Sequence, residues 1–454
     1  MLKYKRARGV DGLDQEKFLV KTFGCQMNKH DSERIAGMLV QEGYEPARSM
    51  EEADIIIFNT CCVRKHAEDR LYGQVGALKS LKRRKPNLIL AVGGCLAQKD
   101  GREIQERATH VDLVFGTHNL SNLPNLIGRV RENSAKICET WKEPKILPTK
   151  LPSLREHKYF AWVTITIGCN NFCSYCIVPY VRGREISRPM QDICSEVRKL
   201  AQEGVIEITL LGQNVNSYGR DLYGKSQFST LLRELDKIQG IKRIRFTTSH
   251  PRDLSGEIIK AVAECDKVCE HFHLPVQAGS DRILKLMNRG YTKDRYLEMV
   301  RKVRETIPEC SITTDIMVGF PGETEEDFQE TIDLVEKARF DQAFTFIYSP
   351  RPGTQAAKIE VQVPQEVKIE RFKKLVSLQS QICLEQNRKL VGKTLEIFVE
   401  GPSKKEKNIL TGRTRTNKVV NFQGPRELIN KMANVVIAEA HTWYLVGTLT
   451  NANA

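Results

Sequence analysis

Three cysteines fall within eight residues, Cys169, Cys173 and Cys176, in the spacing C-x-x-x-C-x-x-C, directly after an apolar run that ends at Gly168. A loop this short wraps three thiolates around one face of a metal centre. A four-iron cubane has four iron sites, so three thiolates leave one iron open to another ligand. A zinc knuckle or a redox pair is the competing reading. Zinc sites of this kind bring a fourth Cys or His at short range, and the loop contains none.

The rest of the chain sets the frame for that loop. Its 454 residues are 41% hydrophobic and 28% charged, enough for about three domains with their own cores. A mainly disordered, collagen-like or low-complexity chain is excluded. The formal charge of +14 points to a polyanionic partner, most simply nucleic acid. Apolar runs such as Ile55-Ile56-Ile57-Phe58 are strand-sized. A membrane span is far longer, at about 20 residues. The N-terminal stretch MLKYKRARGVDGLDQEKF is basic and lacks the apolar segment of a signal peptide, so the expected compartment is the cytoplasm, with no membrane partner. There, the 13 cysteines read as metal ligands, nucleophiles or core residues rather than disulfides.

Residues 15–150 alternate apolar strands with amphipathic helices. Strands are expected at 17–23, 54–58, 88–92 and 111–115. One helix carries Ile35, Met38 and Leu39 on a single face; another carries Val63, Ala67, Leu71, Val75 and Leu78, both at helical spacing. Fully apolar strands in such alternation predict a doubly wound parallel α/β sheet. Three of these strands run into cysteines, at Gly24-Cys25, Thr60-Cys61 and Gly94-Cys95. Each cysteine stands one strand–helix repeat after the one before it. In open α/β sheets the carboxyl ends of the strands form the ligand crevice, so the three thiols can converge there. Soft thiolates favour an iron–sulfur cluster or zinc, and three ligands leave a coordination position open. Cys62 is read as packing, because an extended chain turns its side chain away from that of Cys61.

Over 155–388 six further strands are expected, at 161–167, 206–211, 243–248, 270–274, 312–318 and 343–348, giving a partial (β/α)6 barrel. Segments at their carboxyl ends, where such barrels place ligands, include Gly212-Gln213-Asn214, Gln277-Ala278-Gly279-Ser280 and Gly319-Phe320-Pro321-Gly322-Glu323. Cys138, Cys194, Cys265, Cys269, Cys310 and Cys383 are read as packing, and His271 and His273 as satisfied barrel histidines. A charged helix over 364–390 leads to a small OB-like β-barrel over 389–450, with strands expected at 394–400, 412–420, 434–440 and 443–447. Residues 391–447 hold nine Lys or Arg against five Asp or Glu. Arg413, Arg415 and Lys418 suit phosphate contacts.

The string CNNFCSYCIVPYVRGREISRP resembles the methylthiotransferases of the radical S-adenosylmethionine (SAM) superfamily. TFGCQMNKHDSE and NTCCVRKHAE resemble the branch that acts on isopentenylated adenosine in tRNA (MiaB type). The C-terminal segment resembles the TRAM domain, an RNA-binding β-barrel. Cys62, at a variable family position, and Lys65, where Glu is common, are the departures.

The resemblance implies two 4Fe–4S clusters, one held by Cys169, Cys173 and Cys176 that binds and cleaves SAM, and an auxiliary one held by Cys25, Cys61 and Cys95. Tyr175 matches an aromatic position near the adenine of SAM, and Gln213, Asn214, Gly319 and Gly322 are expected as cofactor contacts. The implied reaction attaches a methylthio group to carbon 2 of the adenosine 3′ of the anticodon. SAM is then both methyl donor and radical source. The implied partners are the tRNA anticodon stem-loop, an electron donor protein and a sulfur source. Threonylcarbamoyl-adenosine tRNA or a ribosomal protein is the alternative substrate. A non-catalytic iron–sulfur RNA-binding protein and a two-cluster electron carrier are the alternatives outside this class.

Overall fold

The computed structural model describes residues 15–62, 65–133, 135–143, 151–404, 406 and 408–450, the side chains of 65–67 apart. Val63 and the Ala67 side chain of the expected helix lie outside the described residues. The chain forms two compact units. One holds the chain up to Lys158 together with Ile167–Asn170 and Cys176–Ile186; the other holds Tyr159–Thr166, Asn171–Tyr175 and everything from Ser187.

The first unit contains β1 (Lys17–Phe23), α1 (Gln26–Gln41), β2 (Glu45–Pro46), β3 (Ile55–Thr60), α2 (Lys65–Ala77), β4 (Ile89–Gly94), α3 (Cys95–Asp100), β5 (Leu113–Phe115), α4 (Leu123–Asn133) and β6 (Ile137–Glu139). The sheet is parallel throughout, in the order β2-β1-β3-β4-β5-β6. Its continuous apolar strands follow from burial on both faces. Ile56 and Phe58 of β3 pack with Leu90 and Val92 of β4 in one core. Ile55 and Ile57 pack with Ile89 and Ala91 in the other, against Ile35 and Leu39 of α1.

The second unit contains β7 (Phe160–Thr164), β8 (Glu207–Leu211), β9 (Arg243–Phe246), β10 (His271–His273), β11 (Ser311–Val318) and β12 (Gln342–Ile347). Pairing runs β7-β8-β9 and β10-β11-β12, and the bridge between Ile244 and Val268 continues the order from the first set to the second. This is the expected six-stranded partial barrel. Ile208, Leu210, Ile244, Phe246, Ile312, Ile316 and Val318 face the surrounding helices in one core. The alternate residues face inward, among them the polar Glu207, Thr209, Arg243, Arg245, Thr313 and Asp315. Cys265 caps the helix Gly256–Glu264 and Cys269 follows it, so the two share no helix face.

After a 24-residue helix, Gln365–Arg388, five strands close a small barrel: β13 (Thr394–Pro402), β14 (Ile409–Thr414), β15 (Val419–Gln423), β16 (Met432–Ala440) and β17 (Leu445–Leu449), in the order β13-β14-β15-β17-β16. The stretch 412–420, expected as one strand, is a hairpin. Asn417 takes a left-handed φ of 65°. The Lys418 carbonyl accepts from the Thr414 N–H. Asn tolerates that conformation better than most residues, which suits it to the turn. Among the described residues no helix is long and apolar enough to cross a membrane.

Two cations of this hairpin's basic cluster, Arg415 and Lys418, turn into the partial barrel rather than offering a phosphate site. Arg415 pairs with Glu270 and donates to the Val268 carbonyl at 2.8 Å. Lys418 pairs with Asp341 at 2.8 Å, and Arg413 with Glu400 at 2.9 Å. From the other side, fully buried Arg243 donates to the Arg413 carbonyl at 2.8 Å and to Glu396, and Arg245 donates to the carbonyls of Thr414 and Arg415. Glu207, Arg243, Glu270 and Asp341 lie at the amino ends of their strands, so the hairpin seals the bottom of the partial barrel. Sequence composition read these cations as RNA contacts because Glu270 and Asp341, the partners of Arg415 and Lys418, lie far away in the chain.

Candidate functional site

The last register row of the first sheet is Phe23, Thr60 and Gly94 on three adjacent strands. Cys25 follows that row by two residues, and Cys61 and Cys95 by one, which places three cysteines, none in a disulfide, at three neighbouring carboxyl ends. The turns that carry them are braced by buried amides. Asn59 donates to the Asn28 carbonyl at 2.8 Å and to the Ser32 hydroxyl at 2.9 Å, and Thr60 donates to the Gly93 carbonyl. Gly94 has a φ of 93°, and a Cβ there would lie 2.5 Å from the Thr60 carbonyl oxygen. Only glycine therefore turns the chain into Cys95.

Cys95 is polarised by two neighbours. The neighbouring Cys62 thiol donates to it, and Arg182 adds its charge and a hydrogen bond. Together these hold Cys95 down to about 6 against the burial that raises it, as hydrogen bonds and a nearby cation do for any thiolate. Cys62 sits well above the usual thiol range for the same contact and for its burial. It packs in the core as expected, and its side chain lies against a proposed ligand, which the strand-alternation argument missed. Arg182 donates from Nε to Cys95 Sγ at 3.2 Å and from its terminal nitrogen to Asp31 at 2.9 Å. His118 is held down to about 4 by burial and by Arg182.

The second cysteine loop begins with the same device. Gly168 has a φ of 75°, and a Cβ there would meet the Arg184 carbonyl oxygen at 2.1 Å, so the chain passes into Cys169 only through glycine. The Cys169 N–H donates to the Gly183 carbonyl at 3.2 Å. In the barrel unit, Phe172 takes a φ of 45°, and the Asn288 amide donates to the Phe172 carbonyl at 3.1 Å. Ser174 is tied through its N–H to the Met287 carbonyl and through its carbonyl to the Ala356 N–H. Arg289, buried, donates to Cys173 Sγ at 3.3 Å, to the Tyr175 hydroxyl at 3.4 Å, to Tyr291 at 2.9 Å and to the Pro275 carbonyl at 2.6 Å.

The other expected contacts divide. Tyr175 lies beside Cys173 through Arg289. Gln213 is half-buried in a strand-end loop. Asn214 is already satisfied, donating to Asp253 at 2.7 Å and accepting from the His250 N–H at 3.1 Å. Gly319 needs its positive φ of 71° and its missing Cβ because Lys368 packs over it, while Gly322, at 77°, has open space beside it. His271 and His273 both bond the Thr313 hydroxyl at 3.0 Å, as satisfied barrel histidines.

The residues present fit the cofactors the spacing calls for. Each site supplies three soft donors, and none of the thirteen cysteines is in a disulfide. Among the described residues no three His, Cys, Asp or Glu side chains gather tightly enough for a single ion. Ligands to a four-iron cubane sit on separate irons and stand wider apart. The strand-end loops of the barrel also hold buried polar atoms with no protein partner: Thr166 Oγ1, Ser174 Oγ, both amide atoms of Asn216, Ser249 Oγ and His250 Nε2. Such atoms are costly unless a polar ligand completes them. Toward the same ends, the inner face of β12 exposes Phe344 (46%) and Phe346 (36%), with Phe344 edge-on to His273 and His273 3.5 Å from Asp315.

Sequence reasoning missed Arg182, Arg289, Ser249 and His250. Arg182 sits in the quoted string RGREISR, and Arg289 in Met287-Asn288-Arg289-Gly290-Tyr291. A cation soon after the cysteine loop was the available signal for Arg182, and Arg289 stands far from that loop in the chain.

Residues 163–335 match the radical SAM superfamily, residues 17–116 match the Uncharacterized protein family UPF0004, and residues 388–450 match the TRAM domain. The tRNA-2-methylthio-N(6)-dimethylallyladenosine synthase of Acetivibrio thermocellus is 54% identical over 434 residues, covering 95% of this chain and 90% of that protein. The synthase of the same name from Carboxydothermus hydrogenoformans is 52% identical over 437 residues, covering 96% and 99%. In fold, the chain is similar to the radical SAM methyltransferase TsrM of Kitasatospora setae, whose structure holds cobalamin and a [4Fe-4S] cluster (TM-score 0.55, 15% identity, 76% and 74% covered). It is also similar to the cobalamin-dependent radical enzyme OxsB (TM-score 0.54, 12% identity, 81% and 56% covered). The chain belongs to the tRNA-2-methylthio-N(6)-dimethylallyladenosine synthase family of radical SAM methylthiotransferases.

Proposed function

We infer that this chain attaches a methylthio group to carbon 2 of isopentenylated adenosine in tRNA, with SAM and 4Fe–4S clusters as cofactors. The observation that carries this reading is the identity of 54% and 52%, over nearly the whole chain, to synthases named for that product. It favours the isopentenyl branch over threonylcarbamoyl-adenosine tRNA or a ribosomal protein as substrate. When bound, the clusters and SAM supply the one-electron chemistry needed to replace a carbon–hydrogen bond too strong for acid–base catalysis.

The protein's own part is to hold and orient. Cys169, Cys173 and Cys176 are the proposed ligands of the SAM-binding cluster, and Cys25, Cys61 and Cys95 those of the auxiliary cluster used in sulfur insertion. Thr166, Ser174, Asn216, Ser249 and His250 offer their unpaired polar atoms to SAM, with Tyr175 near its adenine. Gln213 and Gly322 remain in reach of the same ligand, while Asn214 and Gly319 act on the loop itself. The division of labour follows residues 15–150, 155–388 and 389–450: auxiliary site, SAM barrel and RNA-binding barrel.

The target adenosine beside the anticodon has to leave its stack to reach the barrel, as flipped bases do, and an anticodon loop exposes its bases for this. Phe344 and Phe346 give the flipped base and its isopentenyl group an aromatic face. Arg415 and Lys418 are engaged inside the protein, so the small barrel also offers RNA a different surface. There Trp443 is 55% exposed, beside the stacked His441 and Tyr444 rings. Exposed aromatic faces of this kind stack on unpaired bases. An electron donor protein and a sulfur source complete the reaction. Thirteen cysteines without a disulfide suit a reducing cytoplasm.

Replacing Phe344 and Phe346 together by alanine should lower kcat/KM for isopentenylated tRNA about tenfold or more, at roughly 1–3 kcal/mol per lost stacking partner. SAM cleavage without tRNA should be unchanged. Unaltered kcat/KM in this variant would remove the two rings from the substrate site.

A further inference from the structure

Arg182 and Arg289 have no part in the reading above, yet they are placed alike. Each is a buried guanidinium in contact with the sulfur of one cysteine, Arg182 with Cys95 at 3.2 Å and Arg289 with Cys173 at 3.3 Å. Burying a guanidinium is costly unless its fork is satisfied. Both forks are anchored. Asp31 fixes one end of Arg182 at 2.9 Å. Tyr291 and the Pro275 carbonyl fix two nitrogens of Arg289 at 2.9 and 2.6 Å, which leaves the third aimed at Cys173. A planar, anchored fork cannot swing away, so the N–H directed at sulfur is held in place by the fold.

We propose that Arg182 and Arg289 are positioning residues, each of which sets the reduction potential of one cluster by holding an N–H against a ligand sulfur. This rests on the ligand assignment given under the proposed function. Hydrogen bonds to cluster sulfurs are among the protein's main controls over potential. Reduction adds negative charge to the cluster and its thiolates, so a donated N–H and a buried positive charge favour the reduced state and raise the potential. Each of the two arginines acts on its own site.

The test uses the full chain reconstituted anaerobically with iron and sulfide. Each cluster is isolated by replacing the three cysteines of the other site. Arg182→Gln should shift the auxiliary cluster to lower potential, so that the reduced-to-oxidised ratio at a fixed potential falls about tenfold, the factor one charge-assisted hydrogen bond carries. The cluster of Cys169, Cys173 and Cys176 should be unchanged. Arg289→Gln should give the reverse pattern. Full iron content with unshifted midpoints in both variants overturns the proposal. If a Gln variant does not retain iron, the unsubstituted protein labelled with nitrogen-15 arginine decides. Pulsed EPR of each reduced cluster should show a nitrogen-15 coupling, and its absence overturns the proposal. The ligand assignment fails separately: Cys95→Ala or Cys173→Ala with undiminished iron refutes it before any potential is read.

Discussion

Cys169→Ala should lose about four irons per chain and release no 5′-deoxyadenosine from SAM, with or without tRNA. The loop offers only three cysteines, and Cys169 enters it through a backbone turn that only Gly168 permits. A neighbouring side chain cannot take over its place without moving that turn. Cys95→Ala should behave differently. It should lose iron from the auxiliary site, still release 5′-deoxyadenosine, and form no methylthiolated nucleoside. The contrast separates the two sites by product as well as by iron count. Undiminished SAM cleavage by Cys169→Ala would sink the assignment of that loop.

Arg243→Ala removes one of the two buried cations that pair with Glu207, together with the partner of Glu396 and the donor to the Arg413 carbonyl. Breaking a buried pair in this way should cost about 3–5 kcal/mol of stability. That corresponds to a fall of roughly 10 °C in the melting temperature of the barrel unit. Arg245→Ala should act similarly, since that side chain pairs with Glu207 at 3.1 Å and satisfies two carbonyls of the β14–β15 hairpin. Arg301→Ala is the control, because its pair with Glu305 lies on an exposed helix. Such a surface pair contributes less than about 1 kcal/mol. Differential scanning calorimetry of the three variants checks the ranking. Arg243→Ala melting with the wild type would mean that the hairpin does not seal the barrel.

Deleting the chain after Leu390 removes the hairpin that pairs with Glu270 and Asp341. It should therefore destabilise the barrel as well as weaken tRNA binding. Loss of binding alone, with an unchanged melting temperature, would favour a small barrel that only carries RNA contacts.

How much of this was legible in the sequence depended on whether the partners were local. The strands before Cys61 and Cys95 could be read because burial on both faces demands continuous apolar runs. The strand-end position of the cysteines followed from the βα repeat. The stretch from Gly412 to Val420 misled because its alternation continues through the turn at Asn417, and the turn is set by a backbone φ that the pattern does not record. The basic residues misled for a different reason. Arg413, Arg415 and Lys418 look like a solvated cluster until Arg243, Glu270 and Asp341 arrive from elsewhere in the chain. Arg182 and Arg289 were invisible on the same ground, with Asp31 and Cys173 lying 151 and 116 residues away.

The most direct test of the central claim is anaerobic turnover of the reconstituted chain with SAM, a strong reductant and isopentenylated tRNA, read by nucleoside mass spectrometry. The account predicts a product in which one hydrogen of the adenosine is replaced by a methylthio group, with 5′-deoxyadenosine released alongside it. Release of 5′-deoxyadenosine with no gain on that nucleoside would contradict the assigned substrate. Neither product, from protein shown to hold both clusters, would contradict the catalytic reading itself.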